Sequence, residues 1–176
     1  MPLTVKESSV VGVEHICGHP EVARNEADAL IMCDLTDSRL PGRWEQLWAK
    51  RIGRDQFELC SIPFFAYGLA LGDIVTAGPS HGFEWVIKSV VHPSDNLVIR
   101  VLFEEGAEWE TEERQHELVR TIQELNIDYE VHHLGYLSIS CRDNSRQAEH
   151  IKNTLQAYAV MKWSHYEVLD KGSHQQ

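Results

Sequence analysis

Apolar positions change rhythm about halfway along the chain, and that change predicts two parts of different construction. Through residue 92, short apolar runs recur between turn signals about every 8 to 12 residues, the pattern of a small β-barrel or sandwich. The densest stretch is Leu40 to Val75, LPGRWEQLWAKRIGRDQFELCSIPFFAYGLALGDIV, with three aromatic-rich runs able to supply most of a small core. Residues Leu30 to Leu35 (LIMCDL) read as a buried strand. Thr36-Asp37-Ser38 and Pro41-Gly42 supply turns after it. A strand follows from Trp44 to Arg51, although Trp44, Leu47 and Trp48 break a strict period of two and leave a short helical piece or a bulge open. Gly53-Arg54-Asp55 then predicts a hairpin turn into a strand from Gln56 to Pro63, where proline interrupts the ladder. Asp73 to Ala77 forms the next strand, Gly78 to Gly82 a turn, and Phe83 to His92 a further strand. Before Cys17 the pattern supports one strand at most, because Gly12, Gly18 and Pro20 break the short apolar pieces.

His92-Pro93-Ser94-Asp95-Asn96 marks the boundary, after which strands alternate with helices. Leu97 to Phe103 is a strand. Thr111 can cap a helix from Glu112 to about residue 126, on which Leu118, Val119, Ile122 and Leu125 form a stripe at helical spacing. Ile127 to His133 and Tyr136 to Cys141 flank a Leu134-Gly135 hairpin connection. Asn144 or Ser145 can cap a second helix carrying Ala148, Ile151, Leu155 and Tyr158 on one face. Val160 to Val168 makes a last strand. The order β-α-β-β-α-β is the split βαβ arrangement of a ferredoxin-like fold. The expected class is therefore α+β, with a barrel-like part over residues 1–92, a ferredoxin-like part over 97–170 and a loose tail at 171–176.

Composition narrows the partners. With 27 acidic and 16 basic residues the chain carries a net charge of -11, which repels phosphate backbones and anionic membranes and favours a basic protein. The same balance also serves plain solubility. No apolar run approaches the roughly 18 residues of a membrane span, and MPLTVKESSVVGV lacks the apolar centre of a secretory signal. Cys17, Cys33, Cys60 and Cys141 are widely spaced, with no C-x-x-C pair. Thiols so distributed suit a reducing compartment, so the expected location is cytoplasmic.

Candidate chemistry is sparse. His15-x-Cys17-x-His19 would project to one face of a strand, and imidazole and thiolate both suit zinc. A fourth ligand at suitable spacing is missing, so no metal is assigned, and the bland alternative is a strand end with a buried thiol and two exposed imidazoles. His132 and His133 fall on opposite faces of a regular strand and cannot jointly face one substrate. No G-x-S-x-G, P-loop or G-x-G-x-x-G occurs, and the glycines punctuate turns. Arg39, Arg43, Lys50, Arg51 and Arg54 lie near Trp44, Trp48, Phe64 and Phe65, which keeps stacking on single-stranded RNA as a minor reading. Glu104, Glu105, Glu108, Glu110, Glu112 and Glu113 place six carboxylates in ten residues around Trp109. An aromatic anchor among like charges suits a protein interface that meets Arg and Lys. The rival is a solvated loop and helix start.

Pro41-Gly42-Arg43-Trp44-Glu45-Gln46-Leu47-Trp48, Leu59 to Ala66 and Leu71 to Val75 resemble the signature block of an uncharacterised bacterial family, domain of unknown function 4265. With the flanking strands and Arg100 the resemblance extends over most of the chain, and it transfers no catalytic residue. Members are similar in size to small cytosolic immunity proteins encoded beside secreted polymorphic toxins, and that association is what the resemblance implies. The expectation is thus an immunity protein without catalytic residues, cofactor or metal, which neutralises a cognate, basic toxin domain by stoichiometric binding through Glu104, Glu105, Glu108, Trp109, Glu110, Glu112 and Glu113. Two alternatives stay open: a small hydrolase-type enzyme reversing a toxin's modification in a cleft between the two parts, and a ligand-binding regulatory module.

Overall fold

A computed structural model describes residues 15–19, 27–104, 108–161 and 163–169; the 171–176 tail lies outside them. The chain is an α+β protein, mostly sheet, with ten strands and two helices among the described residues. Its first sheet contains β1 (His15–Cys17), β2 (Ala29–Asp34), β3 (Arg43–Arg51), β4 (Gln56–Leu59), β5 (Ile74–Ser80) and β6 (Phe83–His92). They run in the order β1-β3-β2-β6-β5-β4, and β3 also pairs with β4. One edge of β3 meets β2, while the other meets β1 through Arg43–Glu45 and β4 through Ala49–Arg51. Consequently β2, β3, β4, β5 and β6 form a continuous ring of pairings.

The irregular apolar spacing in β3 comes from burial on both faces, not from a helical piece or a bulge. Leu47 and Ala49 alternate into a core with Ile31, Phe57, Leu59 and Val75. Trp44, on the other face, packs with Met32 and Val86. β5 differs from expectation, because it continues through Gly78 and Pro79 to Ser80. Its register against β6 shifts there, so proline sits where a regular ladder donor is not needed. The turn shrinks to His81 and Gly82, whose φ values of 51° and 82° give the left-handed backbone that a tight hairpin requires.

β4 also stops earlier than the sequence suggests. Cys60 N–H still donates to Trp48 O at 2.8 Å, but the chain then leaves the sheet. The next amides are claimed by side chains, as described below.

The second sheet is built from β7 (Asn96–Phe103), α1 (Glu108–Glu124), β8 (Asp128–His133), β9 (Tyr136–Arg142), α2 (Arg146–Val160) and β10 (Ser164–Leu169). Its strands lie in the antiparallel order β10-β7-β9-β8. Both helices cover one face, where Ile99, Val101, Leu118, Ile122, Ile139 and Leu155 are buried together. Each such side chain stabilises the fold by about 1.5–3 kcal/mol through loss of apolar surface to water. α1 begins before Thr111, which therefore lies inside the first turn and does not cap it. Carboxylates gathered there interact favourably with the positive end of the helix dipole. Ser145 caps α2 as expected, its Oγ accepting from Ala148 N–H at 3.0 Å. α2 runs on through Val160, which delays β10 to Ser164.

Val98, Arg100 and Leu102 of β7 point away from the helices. Residues 60–73 of the first part cover much of that face, with Ile62, Ala70 and Leu71 packed on Val98. Asn96 Nδ2 and Ser94 Oγ both donate to Leu71 O, at 2.9 and 2.8 Å, and fix the passage from one sheet to the other.

Candidate functional site

The polar groups of the molecule converge where the two sheets meet. His19 follows β1, Glu45 points inward from β3, and Glu130 comes from β8. His19 Nε2 lies 2.8 Å from Glu45 Oε1 and Nδ1 lies 2.6 Å from Glu130 Oε2, with all three side chains essentially buried. An ionised carboxylate only accepts, so a carboxylate at each ring nitrogen favours the doubly protonated, positive imidazole. Burial pushes the His19 pKa down, but the hydrogen bonds and charges of Glu130 and Glu45 outweigh it, and the net shift is up. Burial likewise opposes ionisation of Glu45, yet His19 and the amides of Phe64 and Ala66 hold its carboxyl below the usual range.

The same carboxylates organise the segment that leaves β4. Glu45 accepts from the backbone N–H of Phe64 at 2.6 Å, Phe65 at 3.2 Å and Ala66 at 2.7 Å. Glu130 accepts from Ile62 N–H at 2.9 Å. The carbonyls of this segment are met from the second sheet: Ser138 Oγ donates to Pro63 O, Tyr136 Oη to Phe64 O and Arg100 Nη2 to Ala66 O. Phe64 stacks on the His19 ring at 4.3 Å, with 12° between planes. Charged groups buried this way are tolerable because nearly every lone pair and proton has a partner. The arrangement clasps the two sheets through one loop.

Two features read from the sequence are changed by this setting. Of the His15-Cys17-His19 triplet, the His15 side chain lies outside the described residues, and Cys17 and His19 have different partners. His19 offers no free nitrogen to a metal, since each ring nitrogen faces a carboxylate. Cys17 Sγ instead approaches His132 Nδ1 at 4.0 Å, and burial with the nearby Glu45 charge pushes its thiol pKa up to about 12. No group of three or more His, Cys, Asp and Glu side chains among the described residues is disposed to hold a metal ion. Secondly, His132 and His133 do not diverge to opposite faces. A register shift between Val131 and His133 bends β8, so the rings stand 5.0 Å apart and both lie 5.8 Å from the Tyr136 ring. The bend also brings His132 to a cleft of about 250 Å³ shared with Cys17, Leu40, Trp44 and Phe65.

The acidic segment is spread over two settings. Glu104 follows β7 and contacts His165 Nε2 at 2.5 Å. Glu105 lies outside the described residues; Glu108 and Trp109 belong to α1, but their side chains lie outside them. Glu110, Glu112 and Glu113 lie on α1, the last two exposed. Glu110, Glu113 and Glu117 share one side of the helix and line a shallow depression of about 330 Å³ with Arg114 and Trp163. The Arg114 guanidinium sits 5.2 Å from the Trp163 ring centre and 3.4 Å from Glu110 Oε2. The i, i+3, i+7 spacing of the three carboxylates is visible in the sequence, whereas the arrival of Trp163 from the far end of α2 is not.

Of the basic residues near the aromatics, Arg51 is used internally. It donates to Gly53 O and Arg54 O at 3.1 and 2.6 Å and lies 4.7 Å over the Trp85 ring. No helix among the described residues is long and apolar enough to cross a membrane.

A crystal structure described as a novel structure of a hypothetical protein from Neisseria gonorrhoeae has a similar fold. The TM-score is 0.59 at 21% identity, over 73% of this chain and 84% of that one. Comparison with curated proteins found no match. The sequence profile of the domain of unknown function DUF4265 matches residues 45–166, a span that begins at Glu45 and takes in the clasped loop, Arg100, Glu130 and His132. The chain belongs to the DUF4265 family.

Proposed function

We propose that this protein is an immunity protein, which binds and neutralises a cognate bacterial toxin domain through a stoichiometric complex in the cytoplasm. The observation that carries this reading is the depression on α1, where Glu110, Glu113 and Glu117 flank the half-buried Trp163. Arg114 already lies over the indole and pairs with Glu110, so the charge of a partner's Lys or Arg would be taken by Glu113 and Glu117 at the rim of the depression. The net charge of -11 adds long-range attraction for a basic toxin and speeds capture. We further take the ring of β2 to β6 as a small barrel over residues 1–92, and the order β10-β7-β9-β8 with its two helices as a ferredoxin-like unit over 97–170. In that view the clasped loop holds the two units in one orientation, and a preorganised surface binds at lower entropic cost.

The test is copurification of the full chain with the toxin domain encoded beside it. The expected result is a one-to-one complex whose association rate falls steeply with salt and falls further in the triple variant E110Q/E113Q/E117Q. A complex unaffected by that variant removes this surface from the reading.

A second reading has one observation in its favour. Thiol, imidazole and carboxylate meet at the seam, as a hydrolase-type enzyme reversing a toxin's modification would need. Against it, the Cys17 thiol is pushed up to about 12 and is held protonated, the opposite of an activated nucleophile. Restoration of a poisoned substrate by a substoichiometric amount of protein would favour the enzyme.

A further inference from the structure

The face of the second sheet turned away from the helices is only partly covered by the clasped loop. Beyond Ala66 it opens into a groove of about 470 Å³, a size usual for small-molecule sites. Phe65, Tyr136 and Leu102 supply apolar walls, and Leu102 is 49% exposed although it sits mid-sheet. His133 and His165 stand among the lining residues. Arg100 is the one strong cation of this groove, and its side chain is only 5% exposed.

That guanidinium is fixed and incompletely used. Nη2 donates to Ala66 O at 2.5 Å, and the plane lies 4.7 Å over the Tyr67 ring, so the group cannot swing out. Nε is buried without a hydrogen-bond partner among the described residues. Nη1 donates to Glu167 Oε1 at 3.1 Å, and Tyr67 Oη donates to the same carboxylate at 3.2 and 3.4 Å. Glu167, by contrast, is 45% exposed on the edge strand β10 and has water available. A buried Arg with a solvent-reachable carboxylate resting on it is a site in which an incoming carboxylate can take over the charge contact at little net loss of hydrogen bonds. An apolar body on that carboxylate would bury Leu102, Phe65 and Tyr136, which the Glu167 stem leaves open to solvent.

We infer that this groove binds a small aromatic monocarboxylate, whose carboxylate replaces Glu167 on Arg100 and whose ring packs on Phe65, Tyr136 and Leu102. Glu167 then acts as an internal competitor, and occupancy by ligand releases it to solvent. The site is separate from the α1 surface and does not depend on the immunity reading.

The experiment titrates indole-3-acetate, and separately the uncharged indole-3-acetamide, into isotope-labelled full chain, following amide shifts. Saturable shifts centred on Leu102, Tyr136 and Glu167 with the acid but not the amide are expected. Glu167→Gln removes the competing charge and tightens binding by about tenfold, as expected where self-occupancy leaves about a tenth of the molecules competent. Arg100→Lys, if it folds, abolishes binding because an ammonium lacks the planar fork. If it does not fold, the Glu167→Gln and amide arms decide. Equal binding of the amide, an unchanged or weakened affinity in Glu167→Gln, or absence of saturable shifts with either form overturns the inference.

Discussion

The seam and the α1 surface each gather carboxylates around an aromatic ring, and they put those groups to opposite uses. At the seam, Glu45 and Glu130 are buried, meet His19 and four backbone amides, and stack the assembly on Phe64. On α1, Glu112 and Glu113 face solvent, and Arg114 meets Glu110 among the three carboxylates beside Trp163. A carboxylate's neighbours decide whether it holds the chain together or remains available to something else. Residue type does not.

Emptying the seam should cost the fold most. Glu45→Ala leaves His19 and the amides of Phe64, Phe65 and Ala66 without their acceptor in a dry environment. A loss of about 3–5 kcal/mol is expected in urea unfolding, the range for stripping one partner from a buried charge network. A loss below about 1 kcal/mol would mean that the loop finds water or another acceptor instead.

Next in size is the response to pH. His19 has a folded pKa above its ordinary value of 6.5, so its contribution is complete below that value and is lost as pH rises through the folded pKa. Glu45 has a folded pKa below its ordinary 4.5, so its contribution is present above that value and is lost as pH falls through the folded pKa. The seam should therefore give a stability plateau bounded by these two groups. In His19→Gln the decline on the alkaline side disappears, which thermal unfolding across a pH series would detect; a decline that persists unchanged would assign it elsewhere.

The smallest effect on folding belongs to the exposed region. E110Q/E113Q/E117Q should change stability by no more than about 1 kcal/mol, while association with a basic partner is altered. The Glu110–Arg114 pair lies at the surface, and glutamine at 117 can still accept from the Tyr158 hydroxyl. A large destabilisation would show that these carboxylates, too, are structural.

Periodicity made most strands and both helices legible, because the apolar stripes of α1 and α2 and the runs at Leu30 and Leu97 each suit a single kind of element. α1 starts at Glu108 and not at Glu112, because its first turn is carboxylate-rich and lacks an apolar stripe to announce it. The extension of β5 through Gly78-Pro79 was hidden because those residues signal a turn wherever a bulge has not already removed the need for a donor. The seam was invisible for a different reason. Glu45 sits inside the Pro41 to Trp48 motif, yet a strand glutamate reads as solvent-facing, and its partner His19 lies 26 residues away while Glu130 lies 111 from that histidine. The sequence draws attention to His19 only as one member of a His15-Cys17-His19 metal triplet. Contacts so distant in sequence leave no local spacing to recognise.

The loop from Ile62 to Ala66 takes its acceptors from both sheets, Glu45 from the first and Glu130 from the second, and its side-chain donors from the second. Cutting the chain between β6 and β7 would strip it of Arg100, Glu130, Tyr136 and Ser138 at a stroke, and the fragment ending at residue 92 would lack most of the groups that set this loop's path. Two such fragments, produced apart and mixed, should reassemble by mutual ordering, which makes the passage after His92 a natural place to split the protein for a complementation reporter.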